Sequence, residues 1–114
     1  MYEFRLRPGY GNDKLLIEFL TDADEPGFLD ALRGVIQKAG FSLKESTGLL
    51  ALANLGGTTY KLKGPHGVLT LDVDEYGLTF IMGEGNQEGI KYLGQLFEDN
   101  EAFEKQDVDF SEFT

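Results

Sequence analysis

The chain of 114 residues contains no cysteine, no tryptophan and a single histidine. Without cysteine it cannot form disulfides, thiolate metal sites or cysteine nucleophiles, and one histidine cannot build a metal site of several imidazoles. No apolar run approaches the roughly 20 residues that span a bilayer, and the N-terminal segment lacks the apolar core of a secretory signal. We therefore expect a cytoplasmic chain that does not enter a membrane.

Basic residues are also scarce, with ten Lys and Arg against twenty Asp and Glu, for a formal net charge of −10. Nucleic acids and anionic membrane surfaces are bound through clustered Lys and Arg, which neutralise phosphates. The basic residues of this chain are mostly scattered. The composition therefore argues against both kinds of partner.

Hydrophobic periodicity predicts a single α+β domain over residues 1–114. Residues 2–7 and 14–21 alternate between apolar and polar side chains around a Gly- and Asn-rich turn, which indicates an N-terminal hairpin. A helix is expected over residues 28–39, where apolar side chains recur at helical spacing, with an Asp of the segment 22–26 as its N-cap.

Tight-turn compositions separate three alternating segments in the second half of the chain. They predict a three-strand antiparallel meander formed by residues 58–63, 68–74 and 78–83. A second helix is expected to begin after Asn86 as its N-cap, and to end near Asn100 or to continue so that Phe103 joins its apolar face.

Three segments are less regular. Residues 41–45 fit a strand, residues 46–57 fit either helical turns or a buried strand, and residues 108–110 fit a short terminal strand. The predicted fold is thus a mainly antiparallel sheet of an N-terminal hairpin and a meander, with two helices on one face.

Glycine- and aspartate-rich motifs do not complete a ligand loop. The glycine spacing of residues 83–89 fits no nucleotide loop, and Glu84 and Glu88 would repel phosphate. Residues 22–27 and 72–77 begin like calcium loops, but neither is followed by the acidic residue that such loops need at position twelve. The lone His66 lies in a Gly-Pro-His-Gly turn, which indicates an exposed residue, so the sequence predicts no catalytic residue, metal or cofactor.

Negative charge is concentrated in an acidic C-terminal segment, residues 98–114, which holds seven acids and one base, Lys105. Such a block produces a directional field that repels nucleic acid and attracts basic partners. Glu98 and Asp99 would also oppose the negative dipole at the end of the second helix. Because they do not favour local stability, we expect another role for them.

Aromatic residues alternate with these acids, and Phe103 and Phe113 are the two that we include in the candidate site. Acid–aromatic alternation can dock onto a groove rimmed by Lys and Arg, although either ring could instead complete the core. The candidate partner-binding residues are Glu98, Asp99, Glu101, Phe103, Glu104, Asp107, Asp109 and Phe113.

The charge pattern predicts a small acidic protein-binding module that recognises a basic protein, as an inhibitor, an immunity protein or a chaperone would. Two other functions are open: a small enzyme or ligand-binding domain with a pocket between sheet and helices, and a structural subunit. A homodimer is a further open alternative for the partner.

Overall fold

The computed structural model describes residues 1–9, 13–45, 57–109 and 111. The elements, in chain order, are β1 (Tyr2–Pro8), β2 (Leu15–Phe19), α1 (Phe28–Lys38), β3 (Ser42–Glu45), β4 (Thr58–Gly64), β5 (Gly67–Val73), β6 (Thr79–Met82), α2 (Gln87–Asp99) and β7 (Phe103–Lys105). An α+β fold with a mostly antiparallel sheet and two helices is therefore confirmed for the described residues. The ambiguous segment 46–57 lies outside them except for Gly57.

The seven strands form one sheet in the order β3-β4-β5-β6-β2-β1-β7. Five of the six pairings are antiparallel, including those that join β4 to β5 and β5 to β6. The exception is β7, which pairs in parallel with β1 and places Phe103 beside Tyr2. The terminal strand expected at residues 108–110 is thus found earlier in the chain: Val108 lies in no strand, and Phe110 is outside the described residues.

Both helices and one face of the sheet contribute to a single hydrophobic core. Its aromatic centre contains five phenylalanines from strands and helices alike: Phe4, Phe19, Phe28, Phe97 and Phe103. Among these five phenylalanines the tightest ring pair is Phe97 with Phe103, at 4.8 Å between centroids in an edge-to-face arrangement. Aromatic pairs of this geometry contribute about 0.5–1.5 kcal/mol beyond the burial of their surface, so β7 is held to α2 by ring packing as well as to β1 by its backbone.

The two helices begin differently. At α2 the prediction is confirmed, because the Asn86 side-chain oxygen accepts a hydrogen bond of 3.0 Å from the backbone N–H of Gly89. At α1 the expected cap by an Asp of residues 22–26 is wrong: the N-cap is Gly27, with φ of 79° and no side-chain hydrogen bond. The Asp22 carboxylate instead accepts from the Asp24 N–H within a turn. Glycine suits this cap because a positive φ is unfavourable for other residues.

Candidate protein-binding surface

The acidic segment begins where α2 ends, close to the predicted position. Asn100 leaves the helix in an extended conformation, and its side-chain oxygen accepts a 2.9 Å hydrogen bond from the Ala102 N–H. The Ala102 carbonyl then accepts from the Tyr2 N–H, and the Gln106 N–H donates to the Phe4 carbonyl. These backbone bonds fasten both ends of β7 to β1, so the acids of this segment are carried on a fixed edge of the sheet.

Phe103 must be removed from the candidate contact residues. Its side chain is only 2% exposed and packs against Phe97, Tyr2 and other rings of the core. A strand alternates its side chains between two faces, and the inward position of Phe103 directs the neighbouring Glu104 outward. Phe113, the other aromatic residue predicted for the site, lies outside the described residues.

All six of the predicted acids that the structure describes are exposed: Glu98, Asp99, Glu101, Glu104, Asp107 and Asp109. In the parallel pairing, Glu104 is the register partner of Glu3, which is exposed as well. Like charges on paired strands destabilise a sheet. The Gln106 side-chain amide donates a 3.0 Å hydrogen bond to the Glu3 carboxylate, which partly offsets this repulsion.

Asp109 is held in its charged form by its neighbour Ser111. The hydroxyl and the backbone N–H of Ser111 both donate to the same carboxylate oxygen, at 2.7 and 3.0 Å. These hydrogen bonds favour the carboxylate over the acid and lower the pKa of Asp109 below its ordinary value of 3.8. The negative charge of the segment therefore persists into acidic solution at this position.

Five further acids, outside the predicted site, were missed in the sequence because only strand pairing brings them to the same end of the sheet as Asp99 and Glu101. The sheet has one end at which β1, β4, β6 and β7 begin and β2 and β5 finish. Three described connections lie there, residues 20–27, 74–78 and 99–102, the last counted from Asp99, the final residue of α2, and we call this region the acidic end. The connections contain no Lys or Arg and seven acids: Asp22, Asp24, Glu25, Asp74, Glu75, Asp99 and Glu101.

Small clefts also occur between the sheet and the helices. One cleft of about 120 Å³ lies between α1 and strands β3 to β5, and its lining includes Leu29, Arg33 and Tyr60. Another of about 120 Å³ lies between the two helices, beside Val35 and Leu96. Ligand pockets usually measure about 300–1,000 Å³, so both clefts are smaller than a typical small-molecule site.

Comparison with protein-family models, with curated proteins and with solved structures finds no match for this chain. Over the described ranges, no helix is both long enough and apolar enough to cross a membrane. No group of three His, Asp or Glu side chains in the same ranges is placed to hold a metal ion. Function must therefore be inferred from the surface of this chain itself.

Proposed function

We propose that this chain is a small acidic protein-binding module and that its acidic segment steers a basic protein toward it. The observation that carries the proposal is the exposure of all six described candidate acids: Glu98, Asp99, Glu101, Glu104, Asp107 and Asp109. They are distributed from the end of α2, along the edge strand β7, to the residues beyond it. A surface of one sign raises the association rate of an oppositely charged partner.

The local chemistry of these acids supports a role outside the fold. No basic residue occupies the last turn of α2, where Glu98 and Asp99 face the negative end of the helix dipole. Glu104 is placed beside Glu3 rather than beside a base. Residues that disfavour local stability are frequently retained for function, and recognition of a basic protein uses this charge directly, as an inhibitor or a chaperone does.

The first test is affinity capture from a native lysate at low and high salt, followed by the association kinetics of each captured protein. We expect captured proteins with strongly basic surfaces that are released by salt, because screening at 0.15 M limits charge attraction to about 8 Å. The variant with Glu101→Gln, Glu104→Gln, Asp107→Asn and Asp109→Asn should associate at least about tenfold more slowly at low salt. Dissociation should change much less.

A charge-matched control separates the effect of where the acids lie from the effect of how many acids the chain has. Replacing Asp13, Asp30, Glu45 and Glu88 by their amides removes the same charge from four exposed residues elsewhere. This control should retain most of the association rate. Equal slowing by both variants would reduce the effect to net charge, and an association rate insensitive to salt and to both variants would contradict the proposal.

A further inference from the structure

Three large hydrophobic side chains are exposed on two connections of the acidic end, residues 20–27 and 74–78. Leu20, Leu78 and Tyr76 are 45%, 47% and 76% exposed, although the fold has an extensive apolar core in which to place such residues. Leu20 follows β2, while Tyr76 and Leu78 belong to the connection between β5 and β6. Clustered apolar side chains with a polar rim are a common feature of protein contact sites.

Leu20 and Leu78 adjoin the last residue pair of the ladder between β2 and β6. Phe19 is paired with Thr79 at that last step of the antiparallel ladder, and Leu20 directly follows Phe19 while Leu78 directly precedes Thr79. Both side chains alternate onto the face of Glu18 and Phe80, away from the helices. The pair therefore forms the outer end of the sheet face that the two helices leave open.

The connections that carry these side chains are fixed to each other. The Ala23 N–H donates a 3.0 Å hydrogen bond to the Gly77 carbonyl. Gly77 has φ of 83°, a backbone conformation that favours glycine, and a Cβ there would lie 2.6 Å from the Asp22 carboxylate, so the two connections approach each other closely at this position. The patch is consequently presented by ordered backbone rather than by independent loops.

Asp74 organises the same patch directly. One of its carboxylate oxygens accepts hydrogen bonds of 2.9 Å from the backbone N–H groups of both Tyr76 and Leu78. On the β1 side, the Leu20 N–H donates to the Glu3 carbonyl, which places Glu3 beside Leu20. Acids thus flank the leucine pair on both sides along the row.

We propose that Leu20, Tyr76 and Leu78 form the docking patch for an apolar side chain of the basic partner, with the surrounding acids binding Lys or Arg around it. This inference rests on the proposed function and adds that different residues control the association and the dissociation of the partner. The acids of residues 98–109 raise the association rate, whereas the apolar patch, once desolvated, lowers the dissociation rate.

Charge complementarity selects a basic partner over a second copy of this chain. The two connections that carry the patch, residues 20–27 and 74–78, hold five acids and no Lys or Arg. A second copy docked through the same patch would bring the same acids against this rim, and like-charge juxtaposition opposes association. A partner with Lys or Arg around an aromatic or aliphatic side chain matches both the rim and the centre.

Two synthetic peptides test this inference without a natural partner in hand. Both are lysine-rich and equal in length and charge; one carries Trp-Leu at its centre and the other Ser-Gly. By calorimetry at low salt, we expect the Trp-Leu peptide to bind the native chain about tenfold more tightly or better. In amide NMR spectra it should shift Leu20, Tyr76 and Leu78, whereas the Ser-Gly peptide should shift mainly the acidic residues.

Substitutions test whether the patch causes the tighter binding of the Trp-Leu peptide. Leu78→Ser and Leu20→Ser should abolish the difference between the two peptides, and Tyr76→Ser, which lies outside the strands, should reduce it. Val68→Ser is the matched control, because Val68 is also 45% exposed but lies at the other end of the sheet. Native-like amide spectra of each variant confirm that the fold is retained.

The outcomes distinguish this inference from the proposed function. Equal binding of both peptides, with salt-sensitive shifts only at the acids, overturns the docking patch and leaves the acidic module in place. Binding of neither peptide at low salt overturns both. A dimer in sedimentation that Leu78→Ser dissociates assigns the patch to a second copy and likewise overturns the inference.

Discussion

At the end of the sheet opposite the acidic end, two side-chain amides bind the strand connections to α2. Asn86 donates a 2.7 Å hydrogen bond to the His66 carbonyl while its oxygen caps the helix. Gln87 both accepts from the Leu15 N–H at 2.7 Å and donates to the Leu15 carbonyl at 3.1 Å. The His66 ring stacks on Tyr92 of the same helix at 3.8 Å between centroids.

The acidic end is joined differently. A backbone hydrogen bond between Ala23 and Gly77 links its connections, and the carboxylates of Asp22 and Asp74 accept hydrogen bonds from residues of their own turns. The side chains of Leu20, Tyr76 and Leu78 face solvent.

The contrast separates two uses of polar side chains. Neutral amides that donate and accept at the same time satisfy several backbone groups, so they stabilise the end that they join. Carboxylates only accept hydrogen bonds, and at the surface they keep a charge that acts at a distance. The molecule thus has one end held together by side-chain amides and another that displays charge around exposed apolar groups.

The largest expected effect divides the acidic segment itself into a structural and a surface part. Phe103→Ala should destabilise the fold by about 3–5 kcal/mol, the range for truncating a buried phenylalanine. Glu104→Ala, one residue later and exposed, should change stability by less than about 0.5 kcal/mol. Urea unfolding followed by circular dichroism measures both. Similar losses for the two variants would show that β7 contributes to stability mainly through its surface.

The second effect tests the amide end. Asn86→Ala removes the helix cap and the bond to His66, so we expect a loss of about 1–3 kcal/mol. Asn100→Ala is the matched change at the acidic end, where one hydrogen bond to Ala102 is lost, with an expected loss of about 0.5–1.5 kcal/mol. Thermal and urea unfolding measure the loss of stability in both variants. A larger loss for Asn100→Ala than for Asn86→Ala would contradict the expected difference between the two ends.

What the sequence predicted correctly is mostly local. Alternation identified the meander, and Asn86 identified the start of α2, because both signals lie within a few residues. The pairing of β7 with β1 joins residues about as far apart as the chain allows, and no local pattern encodes it. The same limitation concealed the relation of Leu20 to Leu78, since each is an ordinary exposed leucine in the sequence and only the pairing of Phe19 with Thr79 brings their parts of the chain together.

The sequence also misjudged residues whose environment depends on the whole core. Phe103 stands among acids in the sequence, which suggested a contact residue, but the space between Tyr2 and Phe97 accommodates it. The prediction for the start of α1 was wrong for another reason. Asp22 has the side chain of a cap, whereas Gly27 has the backbone freedom that the entry to the helix requires.

A smaller effect tests whether the acids near the acidic end oppose local stability. Glu98→Gln removes a negative charge from the last turn of α2, so it should stabilise the fold by about 0.3–1 kcal/mol at low salt. Glu88→Gln makes the same chemical change in the first turn, where the dipole is positive, and should destabilise by a similar amount. Both differences should shrink in high salt. A stability change of the same sign in both variants would show that the helix dipole does not determine these changes.

The smallest expected effect concerns the far end of the acidic segment. Ser111→Ala removes the hydroxyl donor to Asp109 and leaves the backbone donor, so the pKa of Asp109 should rise part of the way toward 3.8. Carboxyl ¹³C NMR titration measures this, with Ser42→Ala, on the distant strand β3, as the control that should leave the titration unchanged. Because the pKa of Asp109 is lowered in the fold, its contribution to stability is present above the ordinary value and is lost as pH falls through the lowered one. Asp109 is fully exposed, so we expect a clear change in its titration with almost none in unfolding. An unchanged titration in Ser111→Ala would mean that the hydroxyl does not lower the pKa of Asp109, and would leave the backbone N–H of residue 111 as the cause of the lowering.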